Sequence, residues 1–110
     1  MMGGVNDPVQ LLEQVVGRLR AASSPVRVIV FGSMATGTAT ADSDLDLLVV
    51  LDDVADTRQE SIRLRDALGD IEMPIDVIVM SSARFEETKH VIGGIAYPAN
   101  KYGRDLYEAA

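Results

Sequence analysis

Three short segments are almost entirely aliphatic and β-branched: Val26 to Phe31, Leu45 to Leu51 and Pro74 to Met80. Few polar residues interrupt them, so they lack the alternation of a strand with one wet face. They read as strands buried on both sides. A chain that must bury three such strands folds around one sheet with helices packed over it. At 110 residues there is no length for a second core, so residues 1–110 are expected to form a single domain.

The covering helices can be placed by their period. Asp7 then Pro8 reads as an N-cap followed by proline at the first helical position. Leu11, Leu12, Val15, Val16 and Leu19 then recur at helical spacing to about residue 22, and Ser23, Ser24 and Pro25 stop the pattern. Asp52, Asp53 and Asp56 mark a turn after the second strand. A helix is expected from about Thr57 to Leu68, with Ile62, Leu64 and Leu68 inward and Arg58, Arg63 and Arg65 outward; Gly69 ends it. Ser82 is expected to cap a short helix through about Lys89. Gly93, Gly94 and Pro98 predict a bend before Tyr102, and Asp105 to Tyr107 a short edge strand. The first two strands are separated by only about twelve residues, Gly32 to Ser43, too few for a helical crossover. They are therefore expected to be antiparallel, in a small mixed sheet flanked by helices, an α/β fold.

Composition removes several kinds of chemistry. There is no cysteine, which excludes disulfides, zinc-thiolate sites and a thiol nucleophile. With His90 alone, a multi-histidine metal site and a Ser-His-Asp triad are unsupported. Ten basic against 17 acidic residues give a net charge of −7, unsuited to stable nucleic-acid binding. No apolar run approaches the roughly 20 residues of a membrane span, and the N-terminus has neither a basic nor an apolar leader region. A cytoplasmic location, with no membrane partner, is expected.

Against this background the aspartates stand out. An unpaired carboxylate in a buried strand costs several kcal/mol, yet Asp46 lies inside one apolar strand and Asp76 inside another. Asp44, two residues before Asp46, projects to the same face. If the strands are neighbours, three carboxylates converge. A pair about 4 Å apart repels by roughly 4 kcal/mol at an effective dielectric of 20. Between Arg27 and Arg58 there is no basic side chain, while six aspartates fall in the interval. The natural counterion is a hard divalent cation on oxygen ligands, Mg²⁺ first and Mn²⁺ second. Upstream, Gly32 and Ser33 close the first strand. Glycine there lets the backbone approach a ligand, and the serine hydroxyl with the following amides can cradle a phosphate. A phosphate site beside a carboxylate–metal site describes nucleotide chemistry.

Gly32-Ser33, ten residues, then Asp44-Leu45-Asp46, with Asp76 in a later strand, resembles the motif of polymerase-beta-like nucleotidyltransferases. The similarity is greatest to the minimal, single-domain branch, MNT. It extends to Gly94-Ile95-Ala96-Tyr97 and to Gly103-Arg104-Asp105-Leu106-Tyr107-Glu108, which look like the closing segment of these proteins. The resemblance implies that Asp44 and Asp46 hold two metal ions with the triphosphate, that Asp76 binds the catalytic metal, and that Gly32 and Ser33 position the phosphates of ATP. It also implies a partner, a HEPN-type ribonuclease toxin, whose tyrosine receives AMP, making the chain an antitoxin. Homo- or hetero-oligomers are compatible with that role. Many relatives carry arginine where this chain has Thr36, and often arginine or an aromatic at Met34; Asp105 stands where a hydrophobic residue is commoner. Two alternatives stay open: an antitoxin acting by binding alone, and a small-molecule, aminoglycoside-type nucleotidyltransferase. Which arginine, or Lys101, meets the triphosphate is not singled out by the sequence.

Overall fold

The structure is a computed structural model that describes residues 8–32, 45–71 and 74–109. Its sheet has four strands: β1 (Arg27–Phe31), β2 (Leu45–Leu51), β3 (Ile75–Ser81) and β4 (Arg104–Glu108), in the order β3-β2-β1-β4. β1 runs antiparallel to both β2 and β4, and β2 runs parallel to β3. The parallel pair requires a crossover, and helix α2 (Thr57–Ala67) supplies it. The sheet is therefore mixed, as the connection lengths imply.

Alternation along the strands divides the core in two. Val28 and Val30 of β1, the odd-numbered residues of β2, and Ile75, Val77 and Val79 of β3 face one side. There they pack against Val15 and Leu19 of α1 (Pro8–Ala22) and against Leu64 and Leu68 at α2. Ile29, Leu48 and Val50 face the other side, with Phe31, Ile78 and Met80 at its margin. This second face is covered by Phe85 of α3 (Ser82–Thr88) and by Ala96 and Ala99 of α4 (Ala96–Tyr102). Burial on both faces explains why the strands carry so few polar residues.

Two helix details differ from expectation. Ile62 is 57% exposed rather than inward. At 100° per residue it sits about 160° around the helix from Leu64, so both cannot face the sheet. Ser61 takes the inward position instead: its hydroxyl accepts a hydrogen bond from the Val79 amide at 3.1 Å and donates to the Thr57 carbonyl at 2.8 Å. Similarly, Ser81 rather than Ser82 caps α3, accepting from the Arg84 amide at 3.1 Å. Ser82 is the first helical residue, and its hydroxyl donates to Asp52 at 2.6 Å. The expected break before Tyr102 is present: Gly93 adopts φ +119°, and the chain restarts as α4 with Pro98 in its first turn. Proline costs nothing there, because the first amides of a helix have no intrahelical acceptor. The edge strand is present too, as Arg104–Glu108 rather than Asp105 to Tyr107. Asp105 is not anomalous in it, since Arg27 donates to its carboxylate at 2.7 and 3.1 Å. The proposed cap Asp7 lies outside the described residues.

Asp56 accepts from the amides of Arg58 and Gln59, both at 3.1 Å, and thereby caps α2, the crossover that aligns β2 with β3. Asp56→Ala is expected to lower stability by about 1 kcal/mol. The measurement is the urea midpoint at constant m-value; an unchanged midpoint would show that the cap contributes nothing.

Candidate active site

Antiparallel pairing brings the end of β1 beside the beginning of β2: Phe31 is the register partner of Asp46. Parallel pairing brings the beginning of β3 alongside: Asp46 is the register partner of Asp76. Register partners on neighbouring strands share a face, with about 4.8 Å between the strands. By alternation, Asp46 and Asp76 lie on the face of Leu48 and Ile78, the side covered further along by α3 and α4. Asp46 is half-buried and Asp76 is exposed, so a ligand can reach the pair from solvent.

Gly32 completes this corner. Its φ is +76°, a region that side chains rarely adopt. A Cβ placed on it would lie 2.6 Å from Oδ2 of Asp46. The glycine thus serves two ends: it turns the chain out of β1, and it leaves the space that the Asp46 carboxylate occupies. The sequence had suggested a close backbone approach here, and the neighbour it admits is the Asp46 carboxylate.

Of the residues read as a site, the structure brings together Gly32, Asp46 and Asp76. Ser33 and Asp44 lie outside the described residues, as do Met34 and Thr36. Among the described residues no group of three metal-ligating side chains assembles. The donor set that is present nonetheless fits a hard divalent cation: two in-register carboxylates, no sulfur or imidazole, and a glycine whose missing side chain keeps one carboxylate accessible. One basic cluster carried little signal beforehand. Lys101 donates to the Tyr97 hydroxyl at 3.2 Å, and its ammonium lies 5.6 Å and 5.4 Å from the ring centres of Tyr97 and Tyr102. The i, i+4 spacing of Tyr97 and Lys101 was the only trace of it.

Residues 12–97 match the family model described as nucleotidyltransferase domain. The chain belongs to the nucleotidyltransferase domain family. No curated protein matches it. Among solved structures, that of a toxin–antitoxin MntA–HpeT mutant has a TM-score of 0.63 at 17% identity, covering 89% of this chain and 73% of that one. A Sulfolobus solfataricus protein described as a nucleotidyltransferase also gives 0.63 at 17% identity, covering 91% and 79%. A toxin–antitoxin structure with AMP-PNP gives 0.54 at 22% identity, covering 89% and 73%. At such identities the likeness concerns the fold. This nucleotidyltransferase domain has the polymerase-beta-like architecture, a mixed four-stranded sheet with flanking helices. Among its described residues no helix is long and apolar enough to cross a membrane.

Proposed function

We propose that this nucleotidyltransferase moves AMP from ATP to a tyrosine hydroxyl of a partner HEPN-type ribonuclease toxin, and so acts as its antitoxin. The observation that supports it most is the register of Asp46 with Asp76 at the solvent-open end of the sheet, beside Gly32. Two structural neighbours come from toxin–antitoxin pairs, and one of those structures contains AMP-PNP. The reading as an antitoxin extends those printed descriptions to this chain.

In this reading Asp44, Asp46 and Asp76 hold two Mg²⁺ ions, for which Mn²⁺ could substitute. Such ions, when bound, neutralise charge on the phosphate oxygens and orient an in-line displacement. Gly32 and Ser33 position the phosphates. Asp76 favours loss of the proton from the acceptor hydroxyl. The acceptor oxygen bonds to the α-phosphorus, the bond from that phosphorus to the bridging oxygen breaks, and pyrophosphate leaves. The partner's surface supplies acceptor recognition, so activity depends on the partner.

Incubating the chain, its co-encoded partner and Mg²⁺ with ATP labelled at the α-phosphate tests this. Label on a partner tyrosine is expected. Neutralisation of the partner without any label would favour binding alone, and label on an aminoglycoside but not on a protein would favour the small-molecule alternative.

A further inference from the structure

Exposed apolar side chains are concentrated in one stretch of the chain. Of the five large hydrophobics exposed among the described residues, Val91, Ile92, Ile95 and Tyr102 fall between positions 91 and 102, and Ile92 is 79% exposed. Scattered singly, such residues need no explanation; grouped, they mark a surface kept for contact. The backbone holds the group outward. Val91 and Ile92 lie in the turn between α3 and α4, where Gly93 has φ +119° and a Cβ on Gly93 or Gly94 would meet nothing within 4 Å. The turn therefore stands clear of the rest of the described chain. Helix α4 continues the surface. Ala96 and Ala99 face the sheet. At 100° per residue, Ile95 and Tyr102 lie about 20° apart on one flank of the helix. Lys101 is exposed on the side turned away from the two alanines.

Charge narrows the occupant. The chain carries −7, yet no acidic residue occurs from Thr88 to Arg104. Lys89 is held by Glu86 at 2.7 Å, whereas the Lys101 ammonium touches no carboxylate among the described residues. It donates to the Tyr97 hydroxyl at 3.2 Å and lies 5.6 Å and 5.4 Å from the ring centres of Tyr97 and Tyr102, which hold it in place. Fixing a long side chain beforehand removes an entropy cost from binding. A second copy docked by two-fold symmetry would bring the same lysine and no carboxylate to the contact. Both ammonium groups would then lose water without gaining a counterion, which is costly. A different protein, with a carboxylate beside its apolar face, complements the surface. Location points the same way: α4 covers the sheet face that carries Asp46 and Asp76, the side from which an acceptor must approach.

We propose that Val91, Ile92, Ile95 and Tyr102, with Lys101 fixed beside them, form the surface on which the acceptor protein docks, and that the acceptor presents an apolar face with a carboxylate at its edge. The inference rests on the partner-dependent reading of the function. The test measures the affinity of the full chain for its co-encoded partner by calorimetry, and label transfer from ATP as a function of partner concentration. Ile92→Glu and Lys101→Glu are each expected to weaken the partner by about tenfold or more, as at an interface hot spot. They should raise the KM for the partner with little change in kcat, because docking and not chemistry is removed. Lys101→Arg should keep most of the affinity. Ile62→Glu, exposed on α2 over the opposite face, is the control and should bind as wild type. Wild-type affinity in both Ile92→Glu and Lys101→Glu would overturn the surface while leaving transfer standing. Partner binding that the variants lose, with no label transferred by wild type, would support the surface and defeat the transfer reading. A wild-type dimer in sedimentation that Ile92→Glu dissociates, with partner affinity unchanged, would assign the surface to a second copy and overturn the proposal. Binding to phosphatidylserine vesicles that Ile92→Glu abolishes, again with partner affinity unchanged, would overturn it in favour of a lipid surface.

Discussion

Asp76→Asn is expected to abolish nucleotide transfer, by about 10³-fold or more, while leaving the fold intact or slightly more stable. The two effects have one origin. Asp46 and Asp76 stand directly opposite each other on adjacent strands. Like charges on facing positions of adjacent strands repel, and asparagine keeps the shape while removing that repulsion. A bound divalent ion contributes several kcal/mol of charge stabilisation to phosphoryl chemistry, so losing one of its carboxylates should cost activity on that scale. Asp46→Asn should lose transfer to a similar degree. The assay is label transfer from ATP, alongside a thermal melt of the apo protein. A purely structural pair would behave in the opposite way, losing stability and keeping activity. On the proposed antitoxin reading, cells still rescued from the proposed partner by the combined Asp46→Asn and Asp76→Asn variant, at native expression levels, would leave sequestration as the mechanism.

Among the described glycines, Gly103→Ala should be the most damaging added methyl group. The added Cβ would lie 2.3 Å from the Ala99 carbonyl oxygen, 2.6 Å from Cγ2 of Ile29 and 3.0 Å from the Val30 carbonyl oxygen. Two of these three atoms are backbone, and the Gly103 amide is itself bonded to Ala99 at 3.0 Å, so α4 and β1 cannot simply move apart. A loss at the upper end of the 1–3 kcal/mol typical of overpacking is expected, read from the urea midpoint. Gly17→Ala is the control. It sits in α1 with nothing within 4 Å of a Cβ, and alanine there should add up to about 1 kcal/mol. Equal midpoints for the two variants would refute the packing described at Gly103.

The sheet and its burial were legible because β-branched runs leave few other options, and the antiparallel start followed from a connection too short for a crossover. The face shared by Asp46 and Asp76 was legible once the strands were taken as neighbours. What sequence could not supply was the exact register, because a slip by one residue would have sent Asp76 to the other face. Ile62 was misplaced because an apolar residue was assumed to seek the core, although the angular period had already assigned that direction to Leu64 and Ser61. Ser82 stands next to the residue that caps α3, and adjacent serines cap equally well in principle; the extended backbone of Ser81, at φ −70° and ψ 152°, makes Ser81 the cap. The lysine–tyrosine cluster escaped notice for a related reason: where α4 ends on the sheet is a property of β4.

That late strand also divides the molecule in time. β1, β2 and β3 are successive in the chain and complete the pair of opposed aspartates by residue 81, whereas β4 closes onto β1 across a separation running from Arg27 to Glu108. Its ladder is further broken by an irregularity between Val28 and Ile29. Contacts of such long sequence separation form late, and segments with exposed backbone open first. The amides of Arg104–Glu108 should therefore exchange with solvent well before those of Leu47–Val49, as a separate opening unit. During synthesis the acidic corner would be assembled before the strand that closes the sheet arrives.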